Sequence, residues 1–137
     1  MNDFNQVLEM RIELMKEQLK DNNLTVCSSI ANDLTKLAFM FDAKDYMFIF
    51  GSIESVFKQL TVTFARFDMD TYDKSDILTQ VKEFINKIFL LYQEDSKLSL
   101  YETLRDMSVT VAKFHFSCSE KFNVKTDVGT VPVKSKK

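Results

Sequence analysis

The sequence predicts an all-α protein: a five-helix antiparallel up-and-down bundle with a short irregular C-terminal tail. Three observations predict it. Apolar residues recur at spacings of three and four along most of the chain, the period of a helix buried on one face. Of 137 residues, two are Gly and one is Pro; Gly129 and Pro132 fall in the last nine, which leaves Gly51 alone in 1–122. The periodic stretches are parted by short clusters of Asp, Asn and Ser, and short connections set successive helices side by side.

The first helix is expected from Asp3 to Lys20. Phe4, Leu8, Ile12, Met15 and Leu19 make its apolar stripe, while Glu9, Glu13 and Glu17 share a solvated face. Asp21-Asn22-Asn23 breaks the pattern. Asn tolerates the left-handed conformation that ends helices and also caps the next one, so it can replace the missing glycine. The second helix, from Leu24 to Phe41, carries Cys27, Ile30, Leu34, Leu37 and Phe41, with Ala31 and Ala38 alongside. Asp42–Asp45 is the next break.

The third helix is expected from Tyr46 to Phe67, on Phe50, Ile53, Phe57, Leu60, Phe64 and Phe67. The stretch also has a strand reading. Tyr46–Phe50 is apolar on every side, and Leu60–Phe64 alternates. The alternative fold is therefore α+β, with strands near 46–50, 60–67 and 108–118. Helix is preferred because the period is sustained and only Gly51-Ser52 supplies turn chemistry. Gly51 itself fits a kink, a close helix crossing, a helix junction or a strand end.

Asp68-Met69-Asp70-Thr71 is the third break. The fourth helix, from Asp73 to Gln93, carries Leu78, Val81, Ile85, Ile88 and Tyr92, and Phe84, Phe89, Leu90 and Leu91 make its later half apolar all round. After Glu94–Lys97, Ser99-Leu100-Tyr101-Glu102 has the spacing of a capping box. The fifth helix follows on Leu100, Leu104, Met107, Val111, Phe114 and Cys118. From Asn123 the period stops, and Val124, Val128, Val131 and Val133 alternate with Lys, Thr, Gly and Pro. Residues 1–122 thus read as one helical domain and 123–137 as a flexible or extended Lys-rich tail.

Composition excludes several functions. Without glycine where a backbone must approach phosphate, neither a phosphate-cradling loop nor a dinucleotide fingerprint can be built. The net charge is −2, with +4 on residues 121–137 and −6 on the rest. An acidic body with only Arg11, Arg66 and Arg105 offers no surface for nucleic acid or an anionic membrane. The longest apolar runs, Tyr46–Phe50 and Ile88–Tyr92, are far too short to span a bilayer. Two cysteines, Cys27 and Cys118, make no disulfide framework. With no signal-peptide pattern at the N-terminus, a cytoplasmic setting is expected.

Chemistry-bearing residues are sparse. Asp68, Asp70, Asp73 and Asp76 resemble an oxygen-rich cation loop, yet Asp73 stands where an EF-hand needs Gly and Thr79 where it needs Glu. Acidic residues opening a helix, where its dipole favours them, are the preferred reading of the cluster. His115 is the only histidine. Cys118 lies one turn on, a spacing open to a metal or a Cys–His pair, but Cys118 belongs to the apolar stripe, where thiols are inert. A part-buried histidine with a backbone partner is the plainer reading. Glu9, Glu13 and Glu17 lack a facing carboxylate and histidine helix to make a metal site. No cofactor, metal or catalytic residue is assigned.

The remaining signal is the apolar set itself: thirteen Phe and seven Met beside no Trp. Phe brings large area and Met adapts to irregular surfaces. Beyond filling a core, such a set suits self-association. The expected function is therefore a non-enzymatic helical scaffold or protein–protein interaction module, a homo-oligomer built through the third and fourth helices. Met47, Phe48, Phe50, Phe57, Phe84, Phe89 and Met107 are the candidate contact residues. The alternative is a binding module holding a small apolar molecule among the same side chains.

Overall fold

A computed structural model describes residues 2–94, 96–126 and 129–131. Expectations for the side chain of Phe4, for Val128 and for residues 132–137 lie outside these. The chain forms five helices: α1 (Asn2–Lys20), α2 (Leu24–Met40), α3 (Lys44–Arg66), α4 (Thr71–Gln93) and α5 (Lys97–Lys121). Two short strands, β1 (Val124–Thr126) and β2 (Gly129–Val131), follow and pair antiparallel, Val124 opposite Val131. The fold is all-α, as the period predicts. The strand reading fails at 46–50, at 60–66 and at 108–118, all of which are helical. Ile49, Phe50, Ile53, Val56, Phe57 and Leu60 are all buried. Spacings of one, three and four put them on one side of a helix, which a strand of period two cannot do.

The chain divides into two compact units, residues 1–58 and 59–137, with the division falling inside α3. In the first unit α1 and α2 pack as a helical hairpin. Leu8, Ile12, Met15 and Leu19 are buried on α1, and Cys27, Ile30, Ala31, Leu34 and Ala38 on α2. Both turns of this unit close the same way. Asn22 and Asp42 adopt positive φ, 65° and 56°. The N–H of Asn23 donates to the carbonyl of Gln18 and that of Asn22 to Leu19; the N–H of Ala43 donates to Ala38 and that of Asp42 to Phe39. These are paired Schellman bonds, which satisfy carbonyls that a helix end leaves open. Gly51 lies within α3 and interrupts nothing; a Cβ there would meet no atom within 4 Å.

In the second unit α4 packs against α5. Ile77, Leu78, Val81, Ile85 and Ile88 are buried on α4, and Leu100, Leu104, Met107, Val111 and Cys118 on α5. Asp70 caps α4, its Oδ1 accepting from the N–H of Asp73 at 3.0 Å. The capping box at Ser99 is not formed. Helix α5 starts three residues earlier, at Lys97 after the cap position Ser96, and Ser99 is already helical, its carbonyl accepting from Thr103 Oγ1 at 2.8 Å. After α5 the chain turns back along the end of α3. The N–H of Asp68 donates to the carbonyl of Asn123 at 2.8 Å, and Phe67 pairs with Val124 in a β-bridge. Phe67, Met69 and Cys118 form a local core here, covered by Phe64, Phe114, Phe122 and Val124.

Candidate functional site

The candidate contact residues separate into three groups. Phe50, Phe57 and Met107 are fully buried. They occupy core stripes, so their side chains serve the fold and present nothing to a partner. Met47, Phe84 and Phe89 are half-buried. Phe48 is exposed, at 54 %. The sequence pattern alone puts Phe48 off the α3 stripe of Phe50, Ile53 and Phe57, and puts Met107 on the α5 stripe of Leu100, Leu104 and Val111.

A more exposed group lies at the junction of α2 and α3. Phe39 is 70 % and Met40 77 % exposed, and Phe41, the residue ending α2, is 38 % exposed. Phe48 follows within two turns of the start of α3. In the sequence, Phe39 and Met40 look like part of the stripe they flank. Their phase gives them away: Leu34 and Ala38 define the buried side of α2, and Phe39 lies about 100° and Met40 about 200° around from Ala38. The Schellman turn at Asp42 holds this corner, and Lys44 stands between Asp42 and Asp45 in sequence.

Beside the corner, α1 and α2 bound a cleft of about 150 Å³ lined by Val7, Arg11, Asp33, Leu34, Lys36, Leu37 and Met40. Arg11 and Asp33 meet across it at 3.6 Å. The outer face of α1 bears a shallower hollow among Glu9, Met10, Glu13, Leu14 and Glu17. Glu13 pairs there with Lys16 at 3.7 Å.

The polar candidates are held by local structure. Asp70 is the cap of α4, and the N–H of Asp73 keeps its carboxyl below the usual range. Asp73, hydrogen-bonded to Asp70, is pushed the other way and meets Lys121 Nζ at 3.5 Å. Asp76 accepts from Gln80 at 3.0 Å. The cluster thus builds a helix start, and no group of three His, Cys, Asp or Glu suited to a metal exists among the described residues. His115 is half-buried and bonds a side chain, not the backbone: Nδ1 lies 2.7 Å from Thr63 Oγ1. Its ring stands edge-on to Phe67 at 5.5 Å. Burial pushes the thiols of Cys27 and Cys118 up to about 12 and about 11, where neither supplies thiolate near neutral pH.

No helix among the described residues is long and apolar enough to cross a membrane. Comparison of this all-α chain with protein families, with curated proteins and with solved structures gives no match.

Proposed function

We propose that this chain is a non-enzymatic helical interaction module that self-associates through the corner between α2 and α3. The observation that carries this reading is the exposure of Phe39 and Met40 in sequence, flanked by Phe41 and Phe48. Scattered apolar residues are ordinary on a surface, but a clustered set of large ones marks association. Phe and Met are both enriched at such contacts relative to the rest of a protein surface.

A second copy suits this patch. A two-fold interface presents the same surface from both sides, so the surface must not repel itself. Around the corner Lys44 stands with Asp42 and Asp45, and opposite signs can meet across the axis. The α1 face with Glu9, Glu13 and Glu17 would set like charges against each other. The free, buried state of Cys27 and Cys118 supports a reducing, cytoplasmic setting for this module.

Light scattering tests it. The protein should show a mass near twice 16.0 kDa at high concentration, and Phe39→Ser combined with Met40→Ser should return it to 16.0 kDa. A wild-type monomer up to about 1 mM would remove the proposal, since weaker contacts have little standing as specific dimers.

A further inference from the structure

We propose that the cleft between α1 and α2 binds a small organic acid with an apolar body about the size of one ring. Its floor and walls are apolar. Leu34 is buried, Val7 and Leu37 are half-buried, and Met40 stands at the edge. The volume is about 150 Å³. An apolar cavity of that size takes one benzene-sized group. A longer or branched body would leave part of itself in water.

The charged residues of the cleft select the head group. Arg11 and Lys36 are cationic and Asp33 is anionic, so the lining has a net charge of +1. Lys36 makes no ion pair among the described residues. Arg11 reaches Asp33 at 3.6 Å, with the two side chains 46 % and 54 % exposed. Such an exposed pair is weakly held, and a guanidinium has five donors, more than one carboxylate uses. A carboxylate entering beside Lys36 gains that ammonium and the spare donors of Arg11 while its apolar body covers Leu34 and Leu37. An ammonium of the same shape meets two like charges against the single carboxylate of Asp33, which Arg11 already engages. A neutral molecule gains burial alone.

The test is a nuclear magnetic resonance titration of the intact protein with 3-phenylpropanoate and, in parallel, 3-phenylpropylamine. The acid should give saturable shifts at Leu34 and Leu37, with a Kd of about 1 mM, and the amine should bind at least about tenfold more weakly. Val7→Phe, which fills the cleft, should abolish the shifts. Lys36→Glu, a surface change that does not threaten folding, should weaken the acid about fivefold. Met40 lines the cleft and also belongs to the corner patch, so the mass of each variant is measured by light scattering beside its titration, which reads loss of ligand binding and loss of self-association separately. Equal binding of acid and amine, unchanged binding by Lys36→Glu, or no saturable shift at Leu34 and Leu37 up to about 20 mM would overturn the proposal.

Discussion

His115 Nδ1 lies 2.7 Å from Thr63 Oγ1, and the same hydroxyl lies 2.8 Å from the carbonyl oxygen of Gln59. A hydroxyl carries one proton. Both contacts are hydrogen bonds only if Thr63 donates to Gln59 and the imidazole Nδ1–H donates to Thr63. The neutral ring is therefore the Nδ1–H tautomer, with its lone pair on Nε2, an assignment made from the hydrogen-bond network. Nitrogen-15 spectra at high pH should show a protonated Nδ1 and an unprotonated Nε2; the reverse pattern contradicts the assignment. Thr63→Val keeps the buried shape but strands the imidazole N–H, and should cost about 1 kcal/mol in chemical denaturation. Thr63→Ser, which keeps the hydroxyl, should recover part of the loss.

Gly51 sits inside α3 with open space where a Cβ would project. Glycine in a helix interior is destabilising relative to alanine, because the unfolded chain loses more freedom on folding. Gly51→Ala should therefore raise stability by about 0.5–1 kcal/mol, seen as a higher denaturation midpoint at unchanged slope. A fall in stability would mean that α3 needs flexibility there.

The left-handed turns at Asn22 and Asp42 can be tested in the same way. A Cβ in that conformation crowds the following carbonyl, a strain that Asn and Asp tolerate and glycine avoids. Asp42→Gly should stabilise by about 0.5 kcal/mol, and Asn22→Gly by less, since Asn23 already ties this turn to Gln18 through side chain and backbone. Asp42→Val should be the most damaging, because a β-branched residue fits positive φ worst. Thermal unfolding of the three variants gives the order directly. A neutral Asp42→Val would show that the turn rearranges without cost.

The helices were legible because their information is local. The three-four stripe of Leu8, Ile12, Met15 and Leu19 needs no knowledge of what covers it, and Asn22 announces a helix end by its own conformational tolerance. Features that depend on distant partners were not legible. Thr63 and His115 are 52 residues apart, and no spacing rule joins them. The pairing of Phe67 with Val124 likewise needs the chain to return after α5. Exposure was legible in part. Phe50 and Phe57 share a stripe with Ile53 and Leu60 and so read as core, whereas Phe39 and Met40 blend into the stripe that Ala38 belongs to. The Ser99 box misled because its spacing also occurs inside a helix, where Thr103 spends its hydroxyl on the Ser99 carbonyl.

The two cysteines give the protein an alkaline limit. Both are buried, and burial raises the thiol of Cys27 to about 12 and that of Cys118 to about 11 from an ordinary 9.0. Desolvation is the cause, since a thiolate would leave water for an apolar site; the Sγ of Cys27 donates to the Met15 carbonyl at 3.5 Å. The sign follows from proton counting. Below pH 9 both states hold the proton and the contribution is fully present. Above it the unfolded thiols ionise while the folded ones do not, so the unfolded state binds fewer protons and stability falls as pH rises. The fall should run from pH 9 to about 11 for Cys118 and to about 12 for Cys27, at no more than about 1.4 kcal/mol per pH unit for each thiol. Cys27→Ala and Cys118→Ala each leave a small cavity and lower stability at pH 7, yet each should flatten the decline between pH 9 and 11. Urea denaturation at pH 7, 9 and 10.5 separates the two effects, because the cavity moves all three midpoints together and the thiol changes only their slope with pH. Parallel alkaline declines in wild type and both variants would show that the buried thiols ionise as readily as exposed ones.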